Sequence, residues 1–341
     1  MLAEKILEKG GVVFGAGYNS QWEVSHFYIE KKEGLSAFRM SKYVQSVIGN
    51  TYMEAKKFLK QGRVVLFTGT PCQIAGLNNF LRTDYDNLYT MDFVCHGVPS
   101  PGVFRWYLKE EIDRLLKNHQ DSSNAFSKIS EIPSPAVLAS QKGYEIKNIC
   151  FRDKRKGWKR FSFALDLFPL KGMCRKKQIS YSCTLNYHVF LRGFFNNLFL
   201  RPSCFSCPVR NHKSGSDITI GDWWGIEYIN LEMDDDKGVS AIICNSEKGN
   251  RIFNSLGLTS LKVDYDTFCR YNPSIKFDPK LVCKRAEFYQ KDGKSYREKI
   301  HDLCYVPFPI RIRTSFFIIL HNLLGFKRIK QVKKLLKKIR R

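Results

Sequence analysis

Acidic residues are scarce in this sequence of 341 residues. Asp and Glu number 32 against 56 Lys and Arg, which gives a formal net charge of +24. An excess of this size predicts an anionic partner: nucleic acid, an anionic membrane surface or an acidic protein. The shortage is complete in residues 303–341, which contain Lys and Arg but no Asp or Glu.

The sequence also predicts no targeting or membrane-spanning segment. Residues 1–10 have the pattern of an amphipathic helix, where a secretion signal needs a charged start, an apolar run and a cleavage site. Residues 312–326 are too short and interrupted to span a bilayer, which takes about 20 apolar residues. With 43% hydrophobic residues, the chain can bury a substantial core. We therefore expect a folded, cytoplasmic protein.

The early glycines do not form a dinucleotide-binding fingerprint. Gly10, Gly11, Gly15 and Gly17 lack the order of strand, G-x-G-x-x-G and helix that this motif requires.

Short apolar segments alternate with amphipathic ones in the first third of the chain. This rhythm predicts strands paired in parallel within an α/β fold, α+β overall, whose main sheet is mixed. The predicted strands are 12–14, 64–67 and 88–94, and the predicted helices are 3–9, 51–61, 74–81 and 103–116.

The later segments predict a less regular arrangement. Residues 119–135 are rich in Ser, Asn and Pro and indicate a loop or insertion. Partial alternation of apolar residues over 147–171 favours a hairpin insertion. Further predictions are a helix at 187–200, a strand at 239–244 and a helix at 248–256. We divide the chain into an N-terminal region 1–62, a cysteine-bearing domain 63–270 and a basic extension 271–341.

Eleven cysteines in a chain without a secretion signal favour metal or redox chemistry over disulfides. Cys204 and Cys207 form a C-x-x-C followed by Pro208, a spacing that lets two thiolates reach one metal or cluster. Cys72 and Cys95 each follow a predicted strand, at the sheet edge where ligands gather in open α/β folds. These four cysteines are the candidate metal ligands.

Spacing alone leaves the nature of the site open. The same four thiolates suit an iron-sulfur cluster or a structural zinc, and Cys72 and Cys95 equally fit small buried core residues. A zinc-stabilised nucleic-acid-binding protein and a non-catalytic scaffold remain alternatives. The other cysteines lack paired spacing, and we interpret them as structural: Cys150, Cys174, Cys183, Cys244, Cys269, Cys283 and Cys304.

Three polar residues near these cysteines are further candidates. His96 is the candidate catalytic residue, because its unperturbed pKa near neutrality suits a proton carrier. A turn histidine bonded to backbone fits equally well. Asp217 and Asp222 flank a short predicted strand and are candidates for binding a ribityl or ribose hydroxyl, although Asp in such places commonly caps or forms a turn.

Four motifs resemble one family, that of the coenzyme F420 hydrogenase/dehydrogenase beta subunits. They are SKYVQS at 41–46, GTPCQIAGL at 69–77, DFVCHGVPSP at 92–101 and SDITIGDWWG at 216–225. The resemblance implies an iron-sulfur flavoprotein with FAD and a 4Fe-4S cluster, which passes electrons between cluster and flavin to reduce or oxidise a deazaflavin or another substrate. By motif position it implies Cys72, Cys95, Cys204 and Cys207 as cluster ligands. The implied cofactor-binding residues are Ser41, Lys42, Gly69, Thr70, Asp217 and Asp222.

The resemblance also implies a cellular setting. Bacterial relatives of this type look like accessory oxidoreductases of surface-polysaccharide biosynthesis. The longer ones carry an upstream ferredoxin-like segment and a Ser-Gly-Gly stretch that this sequence does not show. We therefore expect either a truncated chain or a separate ferredoxin, or another electron-transfer protein, as partner, beside a small-molecule substrate.

The C-terminal residues 327–341 predict a basic amphipathic helix. Apolar residues recur at helical spacing among lysines, at Ile329, Val332, Leu335, Leu336 and Ile339. This pattern favours peripheral contact with an anionic membrane through residues 312–341, and a solvated terminal helix is the alternative.

Overall fold

A computed structural model describes residues 1–116, 129–173 and 176–304 of the chain. These residues form a six-stranded sheet and a separate three-stranded sheet, with helices packed on both. The strands of the large sheet are β1 Val12–Tyr18, β2 Val24–Ile29, β3 Val65–Thr68, β4 Leu88–Phe93, β8 Ile218–Asp222 and β9 Ser240–Cys244. Those of the small sheet are β5 Tyr144–Asp153, β6 Ser162–Pro169 and β7 Ile179–Thr184.

The large sheet is mixed, as the sequence predicts. Its strand order is β2-β1-β3-β4-β8-β9. The four central strands pair in parallel, and the two edge strands β2 and β9 pair antiparallel with their neighbours. All four parallel strands therefore present their carboxyl ends at one edge of the sheet.

Helices cover both faces of this sheet. The α-helices within the described residues are α1 Leu2–Glu8, α2 Thr51–Lys60, α3 Pro71–Leu81, α4 Pro101–Leu115, α5 Pro135–Ser140, α6 Val189–Phe195, α7 Ile226–Ile229, α8 Glu247–Asn254, α9 Tyr265–Tyr271, α10 Lys284–Tyr289 and α11 Tyr296–Leu303. Alternate residues of β1 and β3 point to opposite faces, since side chains alternate along a strand. Phe14 and Phe67 pack with α2 and α3 on one face, while Val13 and Leu66 pack with α1 and α8 on the other.

The small sheet contains the predicted hairpin as the antiparallel strands β5 and β6, and β7 extends it in the order β5-β6-β7. Its buried face packs against α4 and α6 through aromatic rings. Phe151 lies 5.2 Å from Phe104 and 5.7 Å from Phe190 between ring centroids. This aromatic core sets the position of β5 and of the loops that continue toward the large sheet.

Several elements differ in extent from the sequence prediction. Helix α3 begins at Pro71, three residues earlier than predicted, because Thr70 and Gln73 form a capping box that starts it. Helix α6 ends at Phe195, and Asn197 with φ of 61° turns the chain into a bridge between Leu200 and Pro99. Residues 117–128 and the basic tail from 305 onward lie outside the described residues, so the predicted loop and terminal helix stay predictions. Among the residues described, no helix has both the length and the apolar composition needed to cross a membrane.

Candidate functional site

A cavity of about 1350 Å³ opens at the carboxyl ends of the parallel strands. Loops after β3, β4 and β8 form one wall, and the segment 35–48 forms the other. Most of the predicted site residues line this cavity: Ser41, Lys42, Gly69, Thr70, Cys72, Cys95, His96 and Asp222. The structure thus brings together residues from all four motifs of the sequence, the last of them through Asp222 at the end of β8.

Cys72 lies in the first turn of α3, directly after β3. Its side chain is exposed, and its Sγ lies 3.1 Å from Thr70 Oγ1, so hydroxyl and thiol form a hydrogen bond. The capping box of α3 fixes this turn and with it the direction of the thiol.

Cys95 follows β4 and points inward from the same sheet edge. Burial, helped by the nearby sulfurs of Cys72 and Cys204, raises the pKa of its thiol to about 12. The Gly97 backbone N–H donates to the Cys95 sulfur and acts in the opposite direction. Arg210 Nη1 donates to the Cys95 backbone carbonyl at 2.9 Å and holds this loop in place.

Cys204 lies in the 3-10 turn Pro202–Ser206 and Cys207 directly follows it, and this turn meets the loop after Cys95. Burial raises the pKa of Cys204, and neighbouring sulfurs of Cys72 and Cys207 add to the effect. The Val98 backbone N–H donates to the Cys204 sulfur. Asp278 Oδ2 accepts a hydrogen bond from the Cys207 backbone N–H at 3.3 Å.

The four predicted ligands are therefore neighbours, although they come from three separate segments. In the part of the chain that the structure describes, no three His, Cys, Asp or Glu side chains are close enough to hold a metal as placed. The donor set itself consists of thiols only, and two of the sulfurs accept backbone N–H bonds. Thiolate ligands with N–H···S bonds are the surroundings that iron-sulfur clusters take in proteins, and the residues fit such a group.

His96 lies on the cavity wall beside Cys95. Its Nε2 donates to Asn197 Oδ1 at 2.8 Å, while its ring contacts Phe194 at 5.2 Å between centroids. Burial lowers the pKa of His96, so the imidazole is neutral near pH 7.

Two of the predicted flavin-side residues, Lys42 and Asp222, are held by bonds to other parts of the protein. Lys42 Nζ donates to the backbone carbonyls of Ala37 at 2.9 Å and Arg39 at 2.8 Å, and burial lowers its pKa to about 8. These two hydrogen bonds hold the Lys42 side chain against the backbone of the loop that precedes it. Across the cavity, Asp222 forms an ion pair with Arg152.

Asp217 lies apart from these residues, outside the cavity lining. Its Oδ2 accepts from the Thr90 backbone N–H at 2.9 Å, and its Oδ1 accepts from Ser246 Oγ at 2.6 Å. Ser246 caps α8, so Asp217 joins β4 to the start of that helix. The cofactor role predicted for Asp217 gains no support from this position.

Arg152 is a cavity residue that sequence reasoning missed. It is 7% exposed, and its guanidinium lies 4.7 Å above the Phe161 ring. Its Nε and Nη2 have no partner among the residues the structure covers. An arginine at an inward position of the strand β5 was the available signal, because arginine is rarely buried without a role in pairing or binding.

His26 was also missed, and it anchors the turn before Cys72. Its Nε2 lies 3.0 Å from the Thr68 carbonyl, and its Nδ1 lies 2.9 Å from Ser46 Oγ. Gln73 Nε2 donates to Ser46 Oγ at 2.8 Å, while Gln73 Oε1 accepts from the Thr70 N–H at 3.0 Å. No local sequence pattern joins these residues, since they come from three separate segments.

Comparisons with known proteins agree with the resemblance carried by the four motifs. The matching family is described as the C terminus of the beta subunit of coenzyme F420 hydrogenase/dehydrogenase, and it matches residues 62–117 and 136–261, more than half of the chain. The unmatched interval between these ranges coincides with the predicted insertion. No curated protein matches the chain.

Among solved structures, the chain is similar to one in the xenon-derivatised F420-reducing NiFe hydrogenase complex from Methanosarcina barkeri. The two share 14% identity at a TM-score of 0.39, over 88% of this chain and 86% of that one. The family match, over more than half of the sequence, carries the assignment. The chain belongs to the coenzyme F420 hydrogenase/dehydrogenase beta-subunit family and is an oxidoreductase of that type.

Proposed function

We propose that the chain holds a 4Fe-4S cluster and passes electrons between it and FAD, which reduces or oxidises a deazaflavin or another small substrate. One observation carries the proposal: Cys72, Cys95, Cys204 and Cys207 come from three segments and meet at one edge of the sheet, beside a large cavity. Four convergent thiols next to an open cavity suit a one-electron centre placed beside an organic cofactor.

The protein around the four thiols supports a cluster in two ways. Burial of Cys95 and N–H donation from Gly97 and Val98 are factors that tune the potential of iron-sulfur centres. Arg210 links the Cys95 loop to Asp278, which also accepts from the Cys207 N–H. This arrangement holds the two halves of the ligand set together.

The cavity suits a flavin in size and in charge. Its volume of about 1350 Å³ exceeds the upper range of about 1,000 Å³ for drug-sized ligands, so a dinucleotide fits. Arg39, Lys42 and Arg201 line it and favour the pyrophosphate. The Asp222 carboxylate, which pairs with Arg152 on the cavity wall, would accept from a ribityl or ribose hydroxyl. A bound flavin supplies the exchange between single electrons and a hydride.

His96 is the residue that we assign to proton handling. It is neutral, faces the cavity, and has its orientation fixed by Asn197. A neutral imidazole held in one orientation can give or take a proton at a bound substrate or flavin. Gly69 and Thr70, in the loop after β3, lie on the wall beside Cys72, where they would pack against the flavin.

Anaerobic purification of the cluster-loaded protein tests the proposal. We expect a brown protein with about four irons per chain, because four thiolates hold one cubane cluster. Cys207→Ser should lose most of this iron. Cys244→Ser is the matched control, because Cys244 lies at the end of β9. Burial alone raises the pKa of its thiol, with no contribution from the four candidate ligands. Equal iron in both variants would show that the ligand assignment is wrong, and a colourless zinc protein would favour the alternative of a structural metal.

Flavin content is measured on the same protein. Quenching of FAD fluorescence on titration should report a bound flavin, and Asp222→Asn should weaken binding without lowering the iron content.

The biological role and the membrane contact of the protein stay predictions. A role in surface-polysaccharide biosynthesis rests on the family resemblance, and membrane contact rests on residues 312–341, which lie outside the described part of the chain.

A further inference from the structure

The four thiols have two distinct sides. Cys72 and Cys95 line the cavity, whereas Cys204 and Cys207 do not. A centre held by all four would therefore face the cavity on one side and the Cys204 loop on the other. The outer side is covered by the segment 276–285, which we call the outer segment.

The outer segment is fastened to the cysteine loops by several direct contacts. Asp278 accepts from the Cys207 N–H and from Arg210 Nε, at 3.3 and 2.6 Å. Asn197 Nδ2 donates to the Lys280 carbonyl at 3.1 Å, and Arg285 Nη1 donates to the Leu198 carbonyl at 3.0 Å. The Arg285 guanidinium also lies 5.5 Å from the Phe205 ring, inside the C-x-x-C. The position of this surface is thus fixed relative to the thiols.

Two large apolar side chains project from the outer segment into solvent. Phe277 is 68% exposed and Leu281 is 67% exposed. Exposed aromatic and aliphatic side chains on one segment are typical of a protein–protein contact, since their burial drives association.

The charges of the outer segment are mostly positive. The segment contains Lys276, Lys280, Lys284 and Arg285 and a single carboxylate, that of Asp278, which pairs with Arg210. Lys276 pairs with Asp266 outside the segment, which leaves the positive charge to the other three residues. Lys280 and Lys284 are exposed. The surface that meets solvent beside Phe277 and Leu281 is therefore cationic, in line with the formal net charge of +24.

We propose that the outer segment is the docking site for an acidic protein of the ferredoxin type, which carries one electron per encounter. The inference rests on the proposed function, because it takes the thiols to hold a cluster. One electron crosses per encounter: the carrier is oxidised and the cluster reduced, or the reverse, and no covalent bond changes. Phe277 and Leu281 supply apolar contact, and Lys280 and Lys284 steer the acidic carrier. The flavin cavity stays free on the opposite side.

Stopped-flow reduction of the full-length, cluster-loaded protein by an acidic bacterial two-cluster ferredoxin tests this site. The double variant K280E/K284E should lower the second-order rate constant about tenfold at low ionic strength, and the difference should shrink as salt rises. F277S/L281S should raise the dissociation constant of the oxidised ferredoxin, measured by calorimetry, by about tenfold at any salt concentration.

The control variant K9E/K60E makes the same charge change elsewhere. Lys9 and Lys60 are exposed and precede β1 and β3, so they lie at the amino edge of the sheet, opposite the thiols. This variant should stay within about twofold of wild type, as expected for charges far from a contact. Titanium(III) citrate, a small reductant, should reduce all variants alike and show that the cluster is intact.

The outcomes separate the two proposals. Reduction by ferredoxin at the wild-type rate in both outer-segment variants would overturn the docking site and leave the cluster assignment standing. An equal loss of rate in K9E/K60E would also overturn the docking site, because the attraction would then depend on the net charge of the whole protein. A wild-type protein without iron would overturn the proposed function, and the docking site with it.

Discussion

Gly97 lies where the loop after Cys95 passes closest to the Cys204 turn. Its φ of 139° is in a region that side chains with a Cβ rarely adopt. A Cβ placed there would lie 3.0 Å from Leu200 Cδ1 and 3.3 Å from Cys204 Cβ. The absence of a side chain thus allows the two cysteine loops to approach each other.

Replacement of this glycine should separate the loops. We expect Gly97→Ala to destabilise the fold by about 1–3 kcal/mol through backbone strain. It should also lower the iron content, because Cys204 has to move. Gly257→Ala is the control: Gly257 also has a positive φ, of 60°, but a Cβ there has no neighbour within 4 Å. Urea unfolding and iron analysis of both variants separate strain from displacement. Equal iron loss in the two would contradict a positional role for Gly97.

Single residues of the site could be predicted where the residue type and its local spacing in the sequence indicate a function. The four cysteines were found because a C-x-x-C is visible in the sequence, and because strand ends in an α/β fold share one edge. Arg152 and His26 were missed, since a buried arginine and a buried histidine depend on partners that are distant in sequence. Asp217 was marked by its motif, yet its bonds to Thr90 and Ser246 occupy both carboxylate oxygens.

At the scale of elements, the His26 imidazole connects three segments around the Cys72 turn. It bonds the end of β3 through the Thr68 carbonyl and the loop 41–47 through Ser46, and Ser46 in turn bonds Gln73 of α3. These contacts keep β2, the cavity wall and the first turn of α3 in fixed relation.

This connection should make stability depend on pH. Burial lowers the pKa of His26 to about 4, below the usual value of about 6.5. Above pH 6.5 the imidazole is neutral in both folded and unfolded chains. As pH falls from 6.5 to 4, the unfolded chain binds the proton first, so the free energy of unfolding decreases by on the order of 3 kcal/mol. Urea titrations of cluster-free protein between pH 7 and 4 should show this loss in wild type and a smaller one in His26→Gln. Parallel pH profiles for the two proteins would contradict it.

Which elements could be predicted depended on how regular their apolar pattern is. Helix α2 and strands β3 and β4 have clear periodicity, and their predicted bounds agree with the structure to within a residue. The edge strand β2 was missed because Ser25 and His26 interrupt its apolar run. Strand β7 was missed because its six residues are all at least partly exposed, and only pairing with β6 defines it.

At the scale of the whole molecule, the positive charge is spread over the fold as well as concentrated in the tail. Deletion of residues 327–341 should weaken binding to vesicles that contain anionic lipid, because each Lys or Arg near such a surface contributes about 1 kcal/mol. Co-sedimentation at low salt measures this effect. Vesicles of neutral lipid are the control, and both proteins should bind them equally weakly. Unchanged binding to anionic vesicles would assign the attraction to residues before 327.

The parallel pairing of β4 with β8 has a consequence for how the chain matures. Thr90 and Asp217, which bond across this pair, are 127 residues apart in sequence. Cys72 precedes that long excursion and Cys95 lies at its start, whereas Cys204 and Cys207 come near its end. The large sheet closes only after the residues of the small sheet have been synthesised, and contacts of such sequence separation form slowly. The two pairs of thiols are therefore made at different times during synthesis. Iron inserted after β4 and β8 have paired would crosslink the two ends of this long stretch of chain.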